Sequence, residues 1–127
     1  MKKTIATQNA PQAIGPYAQA VQANNFVFTS GQLPVDPATG SFAGTTIKEQ
    51  TQQSLKNVQA VLSEAGCSMN DIVKTIVFLS DMNNFAAMNE VYAQFFTDGA
   101  FPARSAVQVA RLPKDALVEI EAVAVKQ

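Results

Sequence analysis

At 127 residues the chain is long enough for one domain that buries about two-thirds of its unfolded surface. Apolar residues make up 47% and charged residues 15%, which argues for a folded chain with some apolar surface to spare for a second subunit, and against disorder. A formal charge of −1 and the absence of histidine exclude a basic field for gathering phosphates, a cysteine–histidine pair and a histidine-based metal site, so nucleic acid is not an expected partner and no metal or cofactor is expected.

Lys2 and Lys3 are followed by no apolar core of a signal peptide, and no stretch approaches the ~20 apolar residues of a membrane span. The expected location is the cytoplasm. The single cysteine, Cys67, makes no disulfide within the chain. Between glycine and serine it reads as a small filler and not as a nucleophile.

In chain order, residues 4–16 hold Pro11, Gly15 and Pro16 and predict an irregular arm with at most a short strand, followed by Tyr17. Residues 25–30 (Asn-Phe-Val-Phe-Thr-Ser) predict a strand stopped by Gly31. Asp36-Pro37-Ala38-Thr39-Gly40 is a turn signature, with a hairpin expected to return through Ser41-Phe42-Ala43. From Ile47 to Ala65 the period changes: Leu55, Val58, Val61, Leu62 and Ala65 fall on one helical stripe, and Gly66 stands where a C-terminal cap belongs.

Residues 72–79 predict a strand covered on both sides, with Val73, Thr75, Val77 and Leu79 on one face and Ile76 and Phe78 on the other. Asn83 or Asn84 is placed to cap a second helix carrying Phe85, Met88, Val91, Tyr92, Phe95 and Phe96, which Asp98-Gly99 ends. Two further strands are expected, 105–112 and 117–125, joined by Pro113-Lys114-Asp115. This order predicts an α+β domain spanning residues 1–127, with two helices on one face of a mixed sheet. Val107, Val109, Val118, Ile120, Ala122 and Ala124 are more apolar strand positions than two helices need, so the bare sheet face is expected to meet another subunit.

Three features carry chemistry. Arg104, after Phe101-Pro102-Ala103, stands at the mouth of an apolar strand, where a guanidinium can grip a carboxylate through two parallel hydrogen bonds. The same residue type also fits a surface arginine or one paired with an internal glutamate. Glu119 and Glu121 share one face of an otherwise apolar strand, which is costly unless each finds a partner or faces a wet pocket; a solvated edge strand would read the same. Thr29-Ser30-Gly31-Gln32-Leu33-Pro34 ends a strand with a hydroxyl and a bare glycine N–H that a ligand can approach, as in any tight turn.

Taken together, Ala13-Ile14-Gly15-Pro16-Tyr17, Thr29-Ser30-Gly31-Gln32-Leu33-Pro34, Asp71-Ile72-Val73-Lys74, Phe101-Pro102-Ala103-Arg104-Ser105, Ala110-Arg111-Leu112-Pro113-Lys114-Asp115 and Val118-Glu119-Ile120-Glu121-Ala122 closely resemble the reactive-intermediate-deaminase (Rid, YjgF-type) family, its RidA branch above all. The resemblance runs from Thr4 to Lys126. It implies a chorismate-mutase-like fold, a homotrimer with a central barrel of sheets and clefts between subunits, and cofactor-free hydrolysis of 2-iminobutanoate and 2-iminopropanoate to 2-oxo acids and ammonia. It assigns Arg104 to the substrate carboxylate with help from the backbone at Gly31, Glu119 to the attacking water, and Tyr17, Ser30 and Asn89 to the pocket wall. RidA-type sequences often carry cysteine two residues after the arginine; here that residue is Ala106.

Three other readings compete. A binder of small 2-oxo acids or a stress-linked holdase would use the same pocket. An endoribonuclease would want the histidine and positive charge that this chain lacks. A chorismate mutase would want more than the two arginines, Arg104 and Arg111, to hold a dicarboxylate.

Overall fold

The computed structural model describes residues 1–127, whose six strands form one mixed sheet in the order β1-β2-β3-β6-β4-β5. The strands are β1 (Lys2–Ile5), β2 (Ala20–Ala23), β3 (Phe26–Thr29), β4 (Ile72–Leu79), β5 (Ala103–Gln108) and β6 (Val118–Val125), with helices α1 (Ile47–Glu64) and α2 (Phe85–Ala93). All neighbours are antiparallel except β4 and β5, which run parallel with α2 in the crossover between them. α1 packs on β6, β3 and α2, so the helices share one face of the sheet, as the sequence predicts.

α1 is set by its ends. The Thr46 hydroxyl accepts from Glu49 N–H, and the Glu49 carboxylate accepts from Thr46 N–H, a reciprocal capping box. At the other end Gly66 takes a left-handed φ of 84°, while Cys67 N–H donates to Leu62 C=O and Gly66 N–H to Ser63 C=O. Leu55, Val58, Val61 and Leu62 are fully buried against the sheet.

Two strand expectations need correction. The hairpin partner of β3 is β2, not a segment after Gly40: Ala23 pairs with Phe26 across Asn24-Asn25, and Asn24 tolerates its φ of 53°. The turn at Asp36–Gly40 does form, with Gly40 N–H donating to Asp36 C=O, but its arms meet in one bridge, Val35 with Phe42. In β4 a bulge shifts the register between Ile72 and Lys74. The bulge turns Ile72 into the core and leaves Val73 45% exposed, off the Thr75–Val77–Leu79 face on which strict alternation puts it.

Of the strand residues expected to be spare, Val107 is exposed on the open face, but the four of β6 are not spare. Val118, Ile120, Ala122 and Ala124 are all buried under the helices, with Val27, Val77 and Leu79. The open face instead carries Phe26 and Phe28, each 46% exposed with stacked rings, together with half-buried Ile76, Phe78 and Val123 and exposed Val107. The expectation of a second, apolar sheet face therefore stands on Val107 and on residues other than those of β6 first expected, Phe26 and Phe28 above all. No helix is long and apolar enough to cross a membrane.

Candidate active site

Arg104 sits in β5, the strand at one edge of the sheet, paired with Thr75 of β4. Thr75 points into the helix layer, so Arg104 does too, and its guanidinium meets α2. Nη1 donates to Asn89 Oδ1 at 2.7 Å, and the guanidinium carbon lies 4.8 Å from the Tyr92 ring centroid and 5.4 Å from that of Phe85. No carboxylate stands within ion-pair distance: the salt bridges of the chain are Lys48–Glu90 and Arg111–Asp115. The alternative of an internally paired Arg104 is thereby excluded. Asn89, Tyr92, Phe101, Pro102 and Arg104 line a shallow pocket of ≈ 340 Å³. Ala106, on the same face, packs against the core.

Glu119 stands on the other side of the sheet. It pairs with Phe78 of β4 and projects from the open face, beside Glu121 as the alternation of β6 requires. Gln32 and Ile120 exchange both backbone hydrogen bonds, which lays the Ser30–Gln32 segment alongside β6 and brings Gly31 against the Glu119 carboxylate. Partial burial, and then the charge of Glu121, push the Glu119 carboxyl above the ordinary glutamate range. Gly31 N–H has no hydrogen-bond partner in the chain. The Ser30 hydroxyl is engaged, donating to Ala18 C=O at 2.6 Å. It thereby holds the arm on which Tyr17 stands half exposed. Buried Gln19 fastens the same arm through Thr7 and Pro11.

Tyr17, Ser30, Gly31 and Glu119 line one cleft of ≈ 660 Å³, walled by Ile14, Leu33, Val35 and Pro113. α1 holds the loops of this wall with polar groups on its buried side. Asn57 donates to Leu33 C=O and Val35 C=O, and Gln50 accepts from Leu117 N–H and donates to Gly44 C=O. Sequence reasoning missed Asn57 and Gln50, because a polar residue beside an apolar helical stripe reads as solvent-facing. It also gave Lys114 no role, although Lys114 lines the cleft in a left-handed turn whose neighbours Arg111 and Asp115 are ion-paired.

The residues proposed from sequence thus fall into two sets, Arg104 with Asn89 and Glu119 with Tyr17, Ser30 and Gly31. Their pairing partners, Thr75 and Phe78, are three residues apart on β4 and face opposite sides of the sheet. Within the chain the guanidinium and the carboxylate are therefore not brought together. No group of three or more His, Cys, Asp or Glu side chains is placed to hold a metal ion.

Residues 7–126 match the family model described as Endoribonuclease L-PSP. The chain belongs to this family, the Rid or YjgF-type family. The Rid-family chain is 56% identical over 129 residues to a Salmonella typhimurium protein named 2-iminobutanoate/2-iminopropanoate deaminase, with the whole of both chains covered. Among solved structures it is similar to Escherichia coli TdcF with bound serine, at a TM-score of 0.94, 53% identity and coverage of 98% of this chain and 99% of that one. It is equally similar in fold to the E. coli YjgF gene product, at a TM-score of 0.94, 54% identity and the same coverage.

Proposed function

We propose that this Rid-family chain is a cofactor-independent cytoplasmic deaminase that hydrolyses 2-iminobutanoate and 2-iminopropanoate, or their enamine tautomers, to 2-oxo acids and ammonia. The observation that carries the reading is the pair of complementary half-sites: a held guanidinium with no carboxylate of its own, and a half-buried carboxylate of raised basicity beside a free N–H. A full-length relative bearing the name of this activity supports it.

The cleft is completed between copies of the chain in a homotrimer. Arg104 of one protomer reaches the Glu119 half-site of the next, and the open apolar face of Phe26, Phe28, Phe78 and Val107 lines the interior barrel. Each protomer contributes a single domain over residues 1–127.

In that cleft Arg104 grips the substrate carboxylate in bidentate fashion, and the Gly31 N–H donates a further hydrogen bond. The carbon of a protonated imine is already electrophilic, so the site has to position water more than to activate it. Water adds to that carbon while Glu119 accepts its proton. Glu119 returns this proton to the nitrogen of the tetrahedral adduct. The C–N bond then breaks as the hydroxyl becomes the carbonyl, and its proton leaves with ammonia as ammonium. Tyr17 and the wall of Ile14, Leu33 and Val35 limit the side chain that fits.

The test couples threonine dehydratase to 2-oxobutanoate formation with semicarbazide present to trap free imine. Added protein raises 2-oxobutanoate at the expense of semicarbazone, and Arg104→Ala reduces this by ~10²-fold or more. Folded protein that leaves the semicarbazone yield unchanged would favour a binding protein for 2-oxo acids. The endoribonuclease description of the family finds no histidine and no net positive charge in this chain to support it.

A further inference from the structure

Arg104 is a long, flexible side chain at a sheet edge, and such a residue ordinarily loses much rotamer freedom when it grips a ligand. Here that freedom is already restricted. Phe85, Asn89 and Tyr92 fall at i, i+4 and i+7 of α2 and form one stripe facing the guanidinium. The two rings approach the guanidinium carbon to 5.4 Å and 4.8 Å, and the Asn89 carbonyl takes one Nη1 hydrogen. Tyr92 is itself fixed, because its hydroxyl and that of Thr75 share a buried hydrogen bond of 2.7 Å. Thr75 is the residue of β4 that pairs with Arg104, so the tether closes a ring from strand to helix and back to strand. None of these contacts supplies a negative charge, and they use only part of the donor fork.

We infer that Phe85, Asn89 and Tyr92 form a three-sided neutral seat that holds the Arg104 guanidinium in its carboxylate-binding pose, with Tyr92, tethered to Thr75, as a positioning residue for the deamination. The inference rests on the assignment of Arg104 to the substrate carboxylate. A neutral seat matters as much as a rigid one. An acid at any of the three positions would pair with Arg104 and compete with the substrate, whereas an aromatic face and an amide oxygen fix it and leave its charge available.

The seat makes a claim about charge recognition that a purely structural role for Tyr92 does not make. Calorimetric titration of the whole protein with 2-oxobutanoate, and with its neutral counterpart 2-oxobutanamide, separates the two. Wild type binds the carboxylate more tightly than the amide, and Arg104→Ala abolishes the difference. Tyr92→Leu weakens 2-oxobutanoate by about tenfold and leaves 2-oxobutanamide unchanged, while Tyr92→Phe, which keeps the ring and loses the tether, has a smaller effect. Asn89→Asp, which alters no packing volume, weakens 2-oxobutanoate by more than Tyr92→Leu does, and by more than it weakens the amide. The seat is overturned if Tyr92→Leu and Asn89→Asp both bind 2-oxobutanoate as wild type does, or if they lose both ligands equally. If wild type shows no preference for the carboxylate, or Arg104→Ala keeps it, the assignment of Arg104 fails and the seat with it.

Discussion

The Glu119 carboxylate lies directly over Gly31: a Cβ on residue 31 would stand 2.7 Å from Oε2 and 2.8 Å from the carboxyl carbon. The backbone of Gly31 is not in the left-handed region, so what glycine supplies here is space and not a special φ. Gly31→Ala is expected to push the carboxylate out of its place while the fold survives, because the obstructing group is the end of a side chain. The expected result is a loss of turnover well beyond the loss of stability, which overpacking puts at ~1–3 kcal/mol. Thermal melts of Gly31→Ala in wild-type and Glu119→Ala backgrounds check the cause. The penalty disappears once the carboxylate is gone, and an equal penalty in both backgrounds would place the clash elsewhere.

Glu119 also fixes how activity and stability depend on pH. As the proposed base it must be ionised, so kcat/KM is expected to rise with pH through a carboxyl ionisation shifted above the ordinary glutamate range, and Glu119→Gln to remove that limb together with most turnover. For stability the sign is opposite. A folded-state pKa above the unfolded one means that the folded protein binds more protons between the two values, so stability falls as pH rises through that window. Glu119→Gln is therefore expected to melt higher than wild type at about pH 7, with the gain vanishing below about pH 4 where both states are protonated. A variant that melts lower at neutral pH would show the carboxylate to be stabilising in the fold.

Asn57 donates to two carbonyls, Leu33 O at 3.0 Å and Val35 O at 2.8 Å, and both residues wall the Glu119 cleft. Asn57→Ala leaves those acceptors without a donor at a buried site, at a cost of ~2–4 kcal/mol. Urea unfolding is expected to show a lower midpoint at unchanged slope. Binding of 2-oxobutanoate should weaken in step as the wall loosens; unchanged binding in a destabilised variant would confine Asn57 to the fold.

Much of this architecture can be read from the sequence where one period dominates. The α1 stripe ends at Gly66, and the apolar run of β4 spans its observed limits, Ile72 and Leu79. β2 escapes because Ala20-Val21-Gln22-Ala23 has one β-branched residue and becomes a strand only by pairing with β1 and β3. The bulge at Val73 likewise comes from pairing with β6 and leaves no local mark. The candidate site residues apart from Asn89 stand in the family motifs, and the alternation of β6 correctly puts Glu119 beside Glu121. That Arg104 and Glu119 point to opposite sides of the sheet depends on the register across β5, β4 and β6, which no single segment contains. Phe85 and Tyr92 read as helix core from spacing alone and do pack with the core, but that spacing does not show that both also face the guanidinium.

That opposition gives the most direct test of a cleft shared between copies. Arg104→Ala and Glu119→Gln are each expected to be inactive alone, since each removes one half from every cleft. Denaturing the two together and refolding them at equal amounts produces mixed oligomers. In these, some clefts pair an intact Arg104, carried by the Glu119→Gln chain, with an intact Glu119, carried by the Arg104→Ala chain. Random assembly with each cleft built from two chains gives both intact halves in about a quarter of the clefts. Recovery of about that share of wild-type activity, with none in separately refolded controls, is the expected outcome. If both groups came from one chain, every cleft would lack one of them and mixing would restore nothing. The opposite orientations of Arg104 and Glu119 within the sheet would then need a rearrangement of the protomer to bring them together.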